Sequence, residues 1–267
     1  MRTLVKNKSG FTLIELLVAM VTGIIVLAGI YASFDSQQKI YTKESQVVDA
    51  EQNVRAAAHF MVREIRLAGM NQTGNADARF HIAGPHSIRF TLDRNDDGDV
   101  LDTDEDITYR FSVSDAADTD GDGYADSGAA PIARVTTGED RLAEDIHALG
   151  FAYAFDDNND GVLDYVDADG DSVLDAGEEI WAYDSSVPPV VDGTLDKNNA
   201  TGAALASAVT FDKIRAVRVW ILARTRNPLR DSSGLKNFTV GDKPVNVTDN
   251  FKYRLLTTTV KCRNMGL

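Results

Sequence analysis

From Phe11 to Phe34 the chain runs for 24 residues with Glu15 as its only charged side chain. At ~1.5 Å per residue, roughly 20 apolar residues cross a ~30 Å hydrocarbon core, so this segment can span a membrane. Asp35 to Ala68 contains no proline or glycine and is rich in Gln, Glu, Lys, Arg and Ala, which predicts that the same helix continues without a break. Within it Val47, Val54, Ala58, Met61, Ile65 and Ala68 recur at spacings of 7, 4, 3, 4 and 3, with Glu44, Glu51, Arg55 and Arg63 elsewhere on the surface. That is one apolar stripe, and it should dock on a sheet. Gly69 supplies a left-handed stop. A helix from Phe11 to Ala68 would be about 87 Å long.

Beyond Gly69 the pattern changes to short β-branched and aromatic runs divided by Gly, Asn, Asp and Pro clusters. Strands are expected at Ser87–Leu92, Ile107–Val113, Ile146–Phe155, Ile180–Tyr183, Ile214–Ala223 and Phe251–Cys262. Gly193 to Ser207, small and polar, reads as an exposed mobile loop. Helix first and strands afterwards imply an α+β fold with an antiparallel sheet. The expected layout is a leader at 1–10, a membrane or filament-core helix at 11–34, its amphipathic half at 35–70, and a β-rich globular head at 71–267.

Charge alters this picture in two ways. Its formal value is −14, and it becomes −17 without a leader carrying Arg2, Lys6 and Lys8, which argues against general nucleic-acid binding and favours a cation. It is also segregated: residues 93–196 hold 30 acidic and 4 basic side chains, while residues 211–267 hold 4 acidic and 12 basic. No aromatic ladder accompanies the basic tail, so pairing with the acidic half, within or between subunits, is the expected role. The single cysteine, Cys262, allows no intrachain disulfide and sits in an alternating segment as a small buried residue.

Glu15 is the anomaly, because an ionised carboxylate near the start of a membrane helix is costly without a partner. Basic residues precede the span, which places the N-terminus in the cytoplasm and the head outside the inner membrane. A secretory signal has a shorter apolar core followed by a small-x-small cleavage site, whereas here Gly10 precedes the core. Lys8-Ser9-Gly10 followed by Phe11-Thr12-Leu13-Ile14-Glu15 resembles the signal of type IV pilins and type II secretion pseudopilins. The resemblance implies cleavage by a prepilin peptidase between Gly10 and Phe11, N-methylation of Phe11, and pairing of Glu15 with the Phe11 amine of a neighbouring subunit. Many members of that family pin the C-terminal region with a cysteine pair, and this chain departs from the habit.

The acidic half contains four Asp/Asn/Gly loops. Calcium takes six to eight oxygens, and a loop with acids at positions 1, 3 and 5, glycine at 6, a carbonyl at 7 and an acid at 12 can wrap one ion. Asp93, Asn95, Asp97, Gly98, Asp99 and Asp104 fit this spacing, as do Asp156, Asn158, Asp160, Gly161, Val162 and Asp167. Asp167 also opens a further loop with Asp169, Asp171, Asp175 and Glu178, in which Ser172 replaces the glycine. Asp118, Asp120, Asp122, Gly123 and Asp126 form the weakest loop, with Ala129 where the closing acid belongs. Acidic turns need no ion for their backbone shape. Four of them in about 90 residues nevertheless lead us to expect structural calcium between strands, without flanking EF-hand helices.

Residues 54–70, Asp106-Ile107-Thr108-Tyr109-Arg110, residues 217–225 and residues 253–264 resemble minor pilins of the PilW/PulJ type. That resemblance implies a low-abundance subunit which helps initiate pilus assembly at or near the tip. It would touch other minor and major pilins through the N-terminal helix. A minor pseudopilin of a type II secretion system is the alternative. The four histidines, His59, His81, His86 and His147, and the lone cysteine give no nucleophile-base or zinc spacing, so a structural protein is expected over an enzyme.

Overall fold

The computed structural model describes residues 10–167, 169–171, 173–175, 177–186, 191–229 and 232–266. The leader residues Arg2, Lys6 and Lys8, and Ser172 of the last acidic loop, lie outside the described residues. The chain divides into two units, Met1–Ser45 and Gln46–Leu267.

One helix, α1 (Leu13–Ile65), contributes to both units. In the first unit its apolar side chains face outward, from Phe11 just before the helix at 91% exposure to Phe34 at 62%. In the second unit Val54, Ala57, Ala58, Met61 and Ile65 are buried on one stripe, as the spacing predicts, while Val47 is only half-buried. The helix stops three residues before the expected Ala68. Leu67 and Ala68 turn back through N–H bonds of 2.9 and 3.1 Å to the carbonyls of Glu64 and Ile65, and the Gly69 N–H donates to Thr91 at 3.1 Å. This capture by a strand pulls the chain off the helix axis. Gly69 has φ +76°, and a side chain there would collide with the Met265 sulfur.

The sheet is antiparallel throughout and contains ten strands. β1 (Phe80–Ala83), β2 (Ile88–Thr91), β3 (Asp106–Phe111) and β4 (Ala130–Val135) lead to β5 (Glu139–Phe155). Then follow β6 (Trp181–Tyr183), β7 (Thr194–Asn198), β8 (Ala204–Thr210) and, after a 3-10 turn at Phe211–Lys213, β9 (Ile214–Arg224). β10 (Leu235–Val240) and β11 (Lys243–Thr248) form a separate hairpin, and β12 (Tyr253–Lys261) pairs with β9. β5 is the axis. Ile146, Tyr153 and Ala154 each have a strand on both sides, so β4 and β6 share one edge of β5 and β9 takes the other.

The alternation along β5 sorts two cores. Leu149, Phe151, Tyr153 and Phe155 join Met61, Ile65, Phe80, Phe90 and Tyr109 on the helix side. Ala148, Ala152 and Ala154 meet Trp181, Trp220, Val240 and Val245 beneath the hairpin. Gly150 completes that second row because a Cβ would lie 3.0 Å from a Val240 methyl and 3.2 Å from the Gly241 nitrogen. Small residues on one face and large ones on the other thus set how closely the hairpin approaches.

Gly193 to Ser207 does not form the expected loop. It enters a β7–β8 hairpin anchored by the cross-strand pair Leu195 and Val209, both buried. Ala204, Ala206 and Ala208 match a loop composition but suit an edge strand open to solvent. The N-terminal half of β5 was not expected either, since its Glu-Asp-Arg composition reads as a turn, and pairing with β4 overrides that preference.

The final residues close on the helix end. Arg263 N–H donates to the Arg66 carbonyl at 3.3 Å, and the Asn264 amide donates to the Leu67 carbonyl at 3.3 Å across 197 residues of sequence. Cys262 is fully buried as a free thiol, and burial pushes its pKa up to about 12.

Candidate functional site

The N-terminal segment builds its own cap. Thr12 N–H and Thr12 Oγ1 each donate to a Glu15 carboxylate oxygen at 2.8 Å, and the Glu15 N–H donates back to Thr12 Oγ1 at 3.3 Å. This reciprocal pattern is a capping box, and the Thr-x-x-Glu spacing at the head of an apolar run is its signature. Sequence reasoning singled out Glu15 and passed over Thr12. Gly10 and Phe11 precede the helix and are exposed. Further along, Thr22 donates its hydroxyl to the Val18 carbonyl at 2.7 Å, which satisfies that group within the helix.

Three acidic loops share one local construction. Asp93 accepts N–H bonds from Asp96 and Gly98, Asp118 from Asp122 and Gly123, and Asp156 from Asp160 and Gly161, at 2.7–3.1 Å. The residues that follow repeat the motif one step on, as Asn95 accepts from Asp97, Asp97 from Asp99, Asn158 from Asp160, and Asp160 from Val162. Asp93 and Asp156 are buried at the loop bases. Burial, opposed by the Gly123 and Asp122 amides, raises the Asp118 pKa, and the Asp122 charge adds to the rise.

Among the described residues, carboxylate oxygens converge at three places, each within 4.8 Å of one another: Asp118, Asp120 and Asp122; Asp167, Asp169 and Glu178; and Asp169, Asp171 and Asp175. The loop with the poorest spacing therefore gathers three acids. Asp104 has φ +71° and pairs with Arg134 at 2.7 Å, while Asp102 accepts from the Asn95 amide at 2.7 Å. In the Asp156 loop, Asp164 accepts from the Asp157 N–H at 2.7 Å and Arg215 donates to Asn159 at 3.0 Å. Arg226 with Asp145 at 3.2 Å, and Lys243 with the Asp122 carbonyl at 2.8 Å, link the basic and acidic halves within one chain.

A buried polar group that the sequence reading did not single out fastens α1 to the sheet. Glu64, 4% exposed, receives two bonds from Arg134 at 2.9 and 3.1 Å and one from the Tyr109 hydroxyl. Burial and the Glu64 charge push the Tyr109 pKa well up. Burial works against the Arg134 charge, but the Glu64 and Asp104 carboxylates raise its pKa on balance. The available signal was an acid beside the apolar stripe, one position before Ile65. Three histidines make hydrogen bonds within the head, His81 with Thr91 Oγ1 at 3.0 Å, His86 with the Leu149 carbonyl at 3.2 Å and His147 with the Gly128 carbonyl at 2.7 Å, while His59 is exposed.

The apolar N-terminal part of α1 is exposed and opened by the Thr12–Glu15 capping box, and the prokaryotic N-terminal methylation motif matches residues 5–31. Residues 111–264 match the model of type IV pilus-assembly protein W, and the chain belongs to that family. Its members are structural proteins that assemble with other pilins. A solved structure of a type IV-like pilin from Thermus thermophilus is similar at 12% identity over 81% of this chain and 98% of its own, with a TM-score of 0.43. No curated protein sequence matches the chain.

Proposed function

We propose that this chain is a minor pilin that helps initiate assembly of a type IV pilus and sits at or near its tip. The observation that carries this reading is the uncovered apolar surface of the first unit, where the most apolar window of α1 has none of its residues buried within the chain. Such a surface needs lipid before assembly and neighbouring helices afterwards. The Phe11 amine, freed by cleavage after Gly10 and then methylated by a prepilin peptidase, gives Glu15 of the next subunit an opposite charge.

Mass spectrometry of the mature protein should find a chain beginning at Phe11 and carrying one added methyl group; any other start refutes the processing step. Glu15→Ala should insert into the membrane yet be depleted from sheared filaments, and normal incorporation would remove the pairing role. A strain lacking the chain should lose surface pili. If it keeps its pili and loses protein secretion, the chain is a type II secretion pseudopilin.

We further propose that the acidic loops hold structural calcium. The support is the convergence of Asp118, Asp120 and Asp122, whose carboxylate oxygens lie within 4.8 Å of one another, a set that a hard cation can bridge. Calorimetric titration of the chain with calcium tests this directly, and an absence of heat identifies the loops as solvated acidic turns.

A further inference from the structure

The second unit has a basic corner in an acidic protein. Arg66, just past α1, and Lys261 and Arg263, at the end of β12, line one cavity of about 510 Å³ with Thr259 and Cys262. All three cationic side chains are exposed, and among the described residues none has a carboxylate in ion-pair reach. A chain of net charge −14 that leaves three cations together and unpaired has kept them for an anion from elsewhere.

The strand that carries Lys261 and leads into Arg263 is open along one edge. β12 pairs with β9 and with no other strand among the described residues. The Cys262 N–H donates to the Arg215 carbonyl and the Thr225 N–H to the Lys252 carbonyl, each at 2.8 Å. In an antiparallel ladder the bonded pairs alternate, so the even-numbered residues of β12 face β9. The backbone groups of Leu255, Thr257, Thr259 and Lys261 therefore point away from the sheet. An open edge is a template for another strand, and charge along it limits which strands pair.

We propose that the outer edge of β12 takes an extended acidic segment of a different subunit as an added strand, with carboxylates of that segment seated against Arg66, Lys261 and Arg263. A second copy of this chain is a poor donor. Among the described residues its other open strands, β1 (Phe-His-Ile-Ala), β8 (Ala-Leu-Ala-Ser-Ala-Val-Thr) and the hairpin strands β10 (Leu-Lys-Asn-Phe-Thr-Val) and β11 (Lys-Pro-Val-Asn-Val-Thr), contain no acid, and β12 is itself basic. The neutral edge of β8 lacks the cations and serves as the internal control. This inference does not depend on where in a filament the chain resides.

The test uses the mature full chain in dodecylmaltoside micelles and a fluorescent, end-blocked octapeptide of alternating Thr and Glu, read by anisotropy. Saturable binding is expected that weakens with salt and falls roughly tenfold or more in the variant Arg66→Glu/Lys261→Glu/Arg263→Glu. Thr257→Pro removes an outward N–H without touching the β9 ladder and should weaken binding comparably, whereas Ala208→Pro on β8 should leave it unchanged. Near-ultraviolet circular dichroism confirms that each variant is folded. Equal binding of the Gln-for-Glu peptide, or insensitivity to both the charge reversal and Thr257→Pro, overturns the proposal. So does displacement of the peptide by phosphatidylglycerol doped into the micelles together with indifference to Thr257→Pro, which would make the corner a lipid site. A dimer in sedimentation velocity that Thr257→Pro abolishes would assign the edge to a second copy instead.

Discussion

Replacing Arg134 by methionine should be the most damaging single change outside the apolar core. Arg134 and Glu64 side chains are 10% and 4% exposed, and the two make a forked contact at 2.9 and 3.1 Å. Removing the guanidinium leaves the Glu64 carboxylate buried with only the Tyr109 hydroxyl. Breaking a buried pair from one side costs about 3–5 kcal/mol, whereas replacing both members by apolar groups is often neutral. The Asp104 contact adds little, since that carboxylate is 46% exposed. The lower end of the range, ~3 kcal/mol, is therefore expected. A domain of this size shifts by about 2–4 °C per kcal/mol, so the midpoint should fall roughly 6–12 °C. Thermal melts of the detergent-solubilised chain, followed by near-ultraviolet circular dichroism from Trp181 and Trp220, measure it. Glu64→Leu combined with Arg134→Met should recover most of the loss. A single variant within ~1 kcal/mol of wild type, or a double variant no better than the single, would refute the reasoning.

The other expectations are independent of one another. Met61→Ala, at a fully buried helix position, should destabilise by about 2–5 kcal/mol in urea unfolding, and a change below ~1 kcal/mol would mean that the helix stripe is not packed as described. Gly150→Val should drive the β10–β11 hairpin off the sheet, seen as increased hydrogen exchange in Val240 and Val245; unchanged protection would contradict the close approach at that position. Burial holds His81, His86 and His147 below the ordinary value of 6.5. Unfolded imidazoles take up protons below that pH and folded ones resist, so stability is intact above pH 6.5 and is lost as pH falls beneath it. His86→Gln/His147→Gln should flatten the melting profile between pH 7.5 and 5.5, and an unchanged slope would point to other groups. Chelator should lower the melting temperature and calcium restore it, the shift shrinking in Asp120→Asn/Asp122→Asn but not in Asp192→Asn/Asp196→Asn; coincident melts would remove the metal.

The parts legible in the sequence are those fixed by local pattern. The 3.6-residue stripe through Met61 and Ile65 follows from one segment burying one face, and β9 is a mostly apolar run buried on both faces; both are visible locally. β1, β4, β7, β8, β10 and β11 were missed because their strand character comes from partners: Leu195, for one, pairs across the hairpin with Val209. Within the site, acid spacing located all four loops but did not reveal which carboxylates converge, because Asp104 is taken by Arg134 from a strand 30 positions away. Glu64 was hidden for the same reason, its partners Tyr109 and Arg134 being brought to it by β3 and β4.

The closure of Arg263, Asn264 and Met265 over the turn that ends α1 has a consequence for how the molecule is made. Nearly two hundred residues separate the two sides of that clasp, and β12, which leads into it, pairs with a strand that itself needs β5. Contacts of such long range form late and slowly. During synthesis the helix, the acidic loops and β9 all emerge before β12, so the Met61–Ile65 stripe stays only partly covered until Val260, Cys262 and Met265 arrive. A nascent chain held at the membrane by its first helix is thereby a vulnerable intermediate, and a premature stop before Arg263 would leave it open to proteases for as long as it persists.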